Sequence, residues 1–329
     1  MWARQVLGPA GTRLPYRSVG RSVRNFRMDR KEYDEIHSKS VSPRTREAFW
    51  QEQASKLVWN KSPTKILDQS RPNFPRWFPD GQINASFNCL DRHVNEGRGN
   101  QVALIYDSPV AGLKEKLTYK QLLEKVETFA GVLRDSCNVN KGDAVVIYMP
   151  MIPEAVIAML ACARIGAPHS VVFGGFASRE LAIRIDDVKA KAIVTASCGI
   201  EPSRVIEYEP LLRGALELSK HKPGKIVSKY REPTKERPNL PARGGLDFLD
   251  WDQEMKKAKP VAAVPMASTD SLYVLYTSGS TGTPKGIVRD TGGYCTAMQF
   301  SMDFLMQTKP GDVFFTSSDV GWVVGHVRF

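Results

Sequence analysis

The stretch with the clearest chemical character is Tyr276-Thr277-Ser278-Gly279-Ser280-Thr281-Gly282-Thr283-Pro284-Lys285-Gly286. The ten residues from Thr277 hold five hydroxyls, three glycines and one lysine. Glycine lets the backbone come close to a polyanion and adopt positive φ. Successive N–H groups in such a turn form an anion-binding nest. The hydroxyls add donors, and the Lys285 ammonium is a point charge suited to phosphate. Charge-assisted contacts contribute about 1.5–3 kcal/mol each, so several together could hold a well-hydrated triphosphate. A flexible linker would share this Gly/Ser content. A linker would not be expected directly after an apolar run (272–276) and before a helix pattern (about 293–306), with a single Pro-Lys-Gly exit. A Walker A loop needs Gly-Lys-Ser/Thr, whereas Lys285 follows Pro284 and precedes Gly286. That removes the P-loop NTPase mechanism.

Such a loop needs a frame. A short strand is expected over 102–106. Thr118 then opens a helix, with Gln121 three residues on as a capping box and Leu122, Val126, Phe129 and Leu133 at helical spacing. Residues 144–149 form a continuous apolar run of strand length. Pro153 sits where a first helical turn tolerates proline, and 154–165 continues as an apolar helix. A strand over 170–173 leads into Gly174 and Gly175, followed by a helix over 178–188 and a strand over 192–196. The sheet resumes at 272–276, and 313–316 reads as its last strand. Strands alternating with helices indicate an α/β fold built from βαβ units on a parallel sheet, and apolar strands fit a sheet covered on both faces. Residues 28–95 differ: polar, aromatic-rich, with a partial helix pattern over 44–57 and a Pro/Gly-rich wrapping segment over 70–85. Residues 220–243, with four prolines and many charges, read as a long surface loop.

Composition bounds the function. The chain has 329 residues, 42% hydrophobic and 25% charged, ordinary for a globular protein. No apolar run reaches the roughly 18 residues of a membrane-spanning helix. The net charge of +11 would suit a nucleic-acid partner, but its distribution does not. Residues 1–27 hold six arginines and no acid, and residues 220–243 hold eight basic residues against two acidic. Those two segments account for the whole excess, and the remainder is near neutral. The Arg-rich, acid-free segment 1–27 has the composition of a mitochondrial transit peptide; a disordered basic tail would share it. The cysteines (Cys89, Cys137, Cys162, Cys198, Cys295) are odd in number and contain no C-x-x-C pair, which argues against a disulfide framework or zinc site. A reducing compartment such as the mitochondrial matrix fits, and no metal site is read.

The 276–286 stretch resembles the adenylation signature Tyr-Thr-Ser-Gly-Ser/Thr-Thr-Gly-x-Pro-Lys-Gly of the AMP-forming acyl-CoA synthetases, members of the adenylate-forming superfamily. Asp319-Val320-Gly321-Trp322-Val323-Val324-Gly325-His326 resembles the acyl-pocket segment of the acetyl- and propionyl-CoA synthetase branch. Arg289-Asp290-Thr291-Gly292-Gly293-Tyr294 and Val172-Phe173-Gly174-Gly175-Phe176 are similar to that branch as well. The resemblance runs from about residue 30 to 326. It implies a transit peptide over 1–27, an acetyl-CoA synthetase-type N-terminal accessory region over 28–95, and an incomplete AMP-binding domain over 96–329.

The resemblance also implies a ligase. A short carboxylate attacks the α-phosphorus of ATP, an acyl-adenylate forms as pyrophosphate leaves, and coenzyme A then displaces AMP. Mg2+ would be shared with the phosphates. Thr277, Ser278, Gly279, Ser280, Thr281, Gly282, Thr283 and Lys285 would cradle the β- and γ-phosphates. Trp322 would wall the acyl pocket, with Val323, Val324 and Gly325 lining it. Val324 stands where acetyl-CoA synthetases usually have threonine, which tilts the pocket toward propionate. Gly174 and Gly175 would form the turn near coenzyme A, and Glu201, Pro202, Ser203 and Arg204 its phosphate segment. Arg204 is on the expected arginine, and Glu201 replaces a second one. His326 is read as a structural histidine without acid–base work.

By the same resemblance, the adenine-holding Trp-Trp-Gln-Thr-Glu segment, the ribose-binding aspartate and the catalytic lysine would all lie past Phe329. No catalytic residue is assigned. The expectation is a truncated, catalytically incomplete form whose cut sheet offers edges to other chains. A non-catalytic phosphate-binding or heterodimerising fragment stays open beside it.

Overall fold

A computed structural model describes residues 29–232, 247–277 and 284–326. Its centre is a sheet whose inner strands are buried on both faces. Every residue of Val145–Met149 (β1) is buried. Alternate side chains point to opposite faces of a strand. Accordingly Val145, Ile147 and Met149 pack with the helices Tyr119–Gly131 and Pro153–Ile165, while Val146 and Tyr148 pack with Ser178–Val188 and Tyr208–Leu218. Covering both faces is what turns an alternating pattern into a continuous apolar run.

Six further strands complete the sheet: His169–Phe173 (β2), Ala192–Ala196 (β3), Lys225–Lys229 (β4), Asp247–Asp250 (β5), Ser271–Thr277 (β6) and Lys285–Asp290 (β7). Their order is β5-β4-β3-β1-β2-β6-β7. All neighbours are parallel except β7, which runs antiparallel to β6. After β1 the chain crosses one face to β2. After β2 it crosses the other face, through Ser178–Val188, and returns beyond β1 to β3. That change of direction is a topological switch point, where α/β sheets open a crevice at the carboxyl ends of their strands.

The local start signals hold. Thr118 Oγ1 accepts from Gln121 N at 3.2 Å while Gln121 Oε1 accepts from Thr118 N at 2.9 Å, closing the capping box of Tyr119–Gly131. Pro153 occupies the first turn of its helix. Residues 29–89 carry a small core of their own (Ala54, Ile66 and Phe78 under Trp50, Trp59 and Trp77). Phe49 and Trp50 both rest on Phe300 at 5.5 Å. Asn84 Nδ2 donates to the carbonyls of Ala163, Arg164 and Val264.

Four expectations are corrected. The hydroxyl-rich stretch does not lead from a strand into a helix. It joins β6 to β7 as a hairpin, with Thr277 paired to Lys285, and the helix Thr291–Phe300 follows. Residues 313–316 form no strand; Val313 and Phe315 are exposed, and no described strand pairs with them. β propensity is realised on a pleated, half-buried surface, and Val313, Phe314 and Phe315 are all exposed. The basic segment 220–243 is not all loop, because its Ile226, Val227 and Ser228 are buried in β4. The strand at 102 extends over Val102–Ser108 and forms a hairpin with Leu113–Thr118, a partner whose charged residues concealed it.

Candidate functional site

Because β1, β2, β3 and β6 are parallel, their carboxyl ends share one edge of the sheet. The loops leaving that edge carry the residues singled out by their chemistry. Thr277 ends β6 and Lys285 begins β7, facing each other across the hairpin. Ser278, Gly279, Ser280, Thr281, Gly282 and Thr283 lie outside the described residues. The root of the hairpin is tied down: Tyr276 Oη donates to Asp187 Oδ2 at 2.5 Å. A Cβ on Gly286 would stand 2.9 Å from Val274 Cγ1 and 3.2 Å from the same Asp187 oxygen. Only glycine lets β7 run that close.

Gly174 and Gly175 leave β2 beside this hairpin. A Cβ on Gly174 would come within 2.1 Å of Tyr208 Oη, so the turn requires a residue without one. Tyr208 is buried, with its ring 4.9 Å from that of Tyr148. Burial raises its phenol well above the ordinary range. The same hydroxyl lies against Gly199. That contact links the Gly174 turn to the small hairpin Cys198–Glu201/Arg204–Glu207, with Pro202 and Ser203 at its tip. There Arg204 Nε donates to Glu201 Oε2 at 2.8 Å, both side chains exposed. Glu201 therefore does more than leave out a cation, since its carboxylate offsets the charge of Arg204.

The third segment packs on the end of β2. Trp322 is 47% exposed and meets the Phe176 ring edge-on at 6.3 Å. Val323 and Val324 are exposed, whereas Gly325 and His326 are buried in the short helix Val323–His326. The His326 ring stacks on His169 at 5.6 Å and lies 4.5 Å from Tyr273. Its carbonyl accepts from Tyr294 Oη at 3.1 Å. Burial drives the His326 imidazole down to about 4, and it drives His169 well below its ordinary value. Both rings are neutral at pH 7. His326 thus anchors this segment through its ring contacts and its carbonyl.

The edge therefore brings together the root of the 277–285 hairpin, the Gly174–Gly175 turn, the Glu201–Arg204 tip and Trp322. Sequence reasoning missed Asp187, Tyr208, His169 and Tyr273, which hold these pieces. His169 was the most accessible of them, as a histidine opening a strand that ends in the apolar run Val171-Val172-Phe173. Among the described residues no group of three or more His, Cys, Asp or Glu side chains gathers as a cation site. No helix among them is long and apolar enough to cross a membrane.

A mostly parallel sheet with a switch point, and a hairpin rooted at Thr277 and Lys285 on its carboxyl edge, define an α/β protein of the doubly wound type. Comparison with known proteins makes this specific. The model of the AMP-binding enzyme family matches residues 90–329, and that of the acetyl-coenzyme A synthetase N-terminus matches residues 33–89. The chain belongs to the AMP-binding enzyme family. It is 51% identical over 280 residues to rat acyl-CoA synthetase short-chain family member 3, mitochondrial, covering 85% of this chain and 40% of that protein. It is 46% identical over 283 residues to the acetyl-coenzyme A synthetase of Rubrobacter xylanophilus, covering 85% and 42%. The acetoacetyl-CoA synthetase from Streptomyces lividans superposes with a TM-score of 0.78 at 22% identity, over 90% of this chain and 44% of that one, which establishes the shared fold. The chain spans about two fifths of the length of the curated relatives it matches.

Proposed function

We propose that this chain contributes the phosphate- and acyl-binding edge of a short-chain acyl-CoA synthetase, an acid–thiol ligase that activates propionate or acetate with ATP and passes the acyl group to coenzyme A. The observation that carries this reading is the pairing of Thr277 with Lys285 at the mouth of a hydroxyl-rich hairpin, on the sheet edge that also bears Trp322. In this reading Thr277, Ser278, Gly279, Ser280, Thr281, Gly282, Thr283 and Lys285 surround the β- and γ-phosphates. Their task is to fix the triphosphate and stabilise charge on departing pyrophosphate. Magnesium would enter with the nucleotide, as MgATP, and would neutralise phosphate charge there.

Trp322, Val323, Val324 and Gly325 bound the acyl group. The indole limits its length, and each methylene is worth about 1–3 kcal/mol of discrimination. Gly174, Gly175, Glu201, Pro202, Ser203 and Arg204 face coenzyme A, with Arg204 as the cation. We assign 28–95 to an accessory region and 96–329 to the AMP-binding part. The acid-free basic segment 1–27 and the mitochondrial names of the relatives support a matrix location. Exposed Ile287 and Val288 on the edge strand β7 support association with other chains.

Equilibrium titration of the chain with MgATP tests the phosphate assignment. Binding is expected, and Lys285→Ala should weaken it about tenfold, the loss of one charge-assisted contact. Equal affinity of both proteins would remove Lys285 from the site. Lysine-dependent binding that no carboxylate converts into turnover would leave the chain as a phosphate-binding module.

A further inference from the structure

The helix Ser178–Val188 sends two charged side chains toward the site, and one of them is buried where a charge is costly. Arg184 is 5% exposed. Its Cζ lies 4.9 Å from the centre of the Phe176 ring and 5.0 Å from that of Tyr276. Nη1 donates to the Glu180 carbonyl at 2.6 Å and to Glu180 Oε2 at 2.9 Å, which holds the guanidinium from its own helix. One turn on, Asp187 takes the hydrogen bond of Tyr276.

These contacts form a continuous line. Tyr276 immediately precedes Thr277 at the root of the hairpin. Phe176 closes the Gly174–Gly175 turn and meets Trp322 edge-on. An apolar side chain would fill the space beside two rings without desolvating a charge, and such replacements are often neutral or stabilising. What a planar guanidinium adds is two faces at once and a fixed orientation.

We propose that Arg184 is a positioning residue. Held between Phe176 and Tyr276, it keeps the root of the 277–285 hairpin in register with the aromatic wall that carries Trp322. The proposal rests on the reading that this hairpin holds the phosphates of ATP, and it adds a physical link between the phosphate and acyl ends of the crevice. A ligand at one end then changes the affinity at the other, and by linkage the effect is reciprocal.

The test uses the whole 329-residue chain, with MgATP titrated in the absence and presence of propionate, alongside backbone hydrogen exchange over 271–290. Arg184→Lys keeps the charge and removes the planar faces. It should weaken MgATP binding about tenfold, a magnitude within reach of a small misplacement, speed exchange at 271–277, and abolish any effect of propionate on that affinity. Phe176→Leu is the second variant, in case Arg184→Lys does not fold. It leaves the Tyr276–Asp187 bond intact and should weaken MgATP about threefold, as loss of one cation–π face implies. Tyr276→Phe keeps the ring and should retain the coupling to propionate, which a merely structural role for the stack would not require. Wild-type affinity and coupling in Arg184→Lys would overturn the proposal while leaving the phosphate assignment standing. Failure of the wild-type chain to bind MgATP would instead overturn that assignment, and the link with it.

Discussion

Acidification should loosen the segment that carries Trp322, through His326. That imidazole is 3% exposed, stacked on His169 and Tyr273, and burial holds its folded pKa at about 4 against an ordinary 6.5. The folded pKa lies below the unfolded one, so the unfolded chain binds the proton first. The stability contribution is complete above pH 6.5 and is lost as pH falls through the folded value near 4. At about 1.4 kcal/mol per pH unit, the loss from this one ring approaches about 3 kcal/mol. That is a large part of the roughly 5–15 kcal/mol of a typical domain. His169 acts in the same direction. Urea unfolding of the wild type and of His326→Phe at pH 7.0, 5.5 and 4.5 measures it. His93 and Asp80, whose pKa values are also lowered, to about 4 and about 2, are common to both proteins and cancel in the difference. The wild type should lose about 2–3 kcal/mol more than the variant between pH 7.0 and 4.5. Parallel stability curves would refute the reasoning.

Three further outcomes follow from contacts already described or close to them. Arg164 is 1% exposed and pairs with both oxygens of Asp91 (2.8 and 3.0 Å) and with Glu127 (2.7 Å). Arg164→Met leaves two carboxylates without their cation and should cost about 3–5 kcal/mol by chemical denaturation; a loss below 1 kcal/mol would contradict it. Gly174→Ala drives a methyl into Tyr208 Oη and should cost about 1–3 kcal/mol, read as a lowered melting temperature, which Gly174→Ala/Tyr208→Phe partly restores. Glu201→Gln releases Arg204 from its partner and should tighten coenzyme A binding about twofold to fivefold at low salt, with the gain shrinking as salt rises; weaker binding would mean that Glu201 itself contacts the ligand.

Much of the frame was legible because its signals are local. Thr118 and Gln121 mark a helix start within four residues. The run 145–149 reveals burial on both faces by its lack of alternation. The hydroxyl-rich loop is recognisable by composition alone, and its resemblance identified the family. What escaped depends on partners distant in sequence. β4 hid because Lys225 and Lys229 flank three buried residues, so the charge of the segment outweighed its apolar centre. β7 hid because a hairpin is decided by pairing to β6, which the β-branched Ile287 and Val288 favour but do not specify. Arg184 and Asp187 carry no signal of their own in the helix pattern over 178–188; only the position of that helix against Tyr276 brings them to the site. The helix Tyr208–Leu218 carries Leu211, Leu212, Ala215 and Leu216 at helical spacing and could have been read.

We propose above that this sheet edge supplies the phosphate- and acyl-binding part of a short-chain acyl-CoA synthetase. It is tested most directly by carboxylate-dependent exchange of pyrophosphate into ATP, in a protein carrying this chain together with the remaining length of its relatives. Acetate, propionate, butyrate and octanoate are compared in the wild type and in Trp322→Gly. Exchange should be strong with propionate and acetate and fall steeply toward octanoate, and Trp322→Gly should shift activity to the longer acids. Absence of exchange with every acid, or a chain-length profile that Trp322→Gly leaves unchanged, would contradict it.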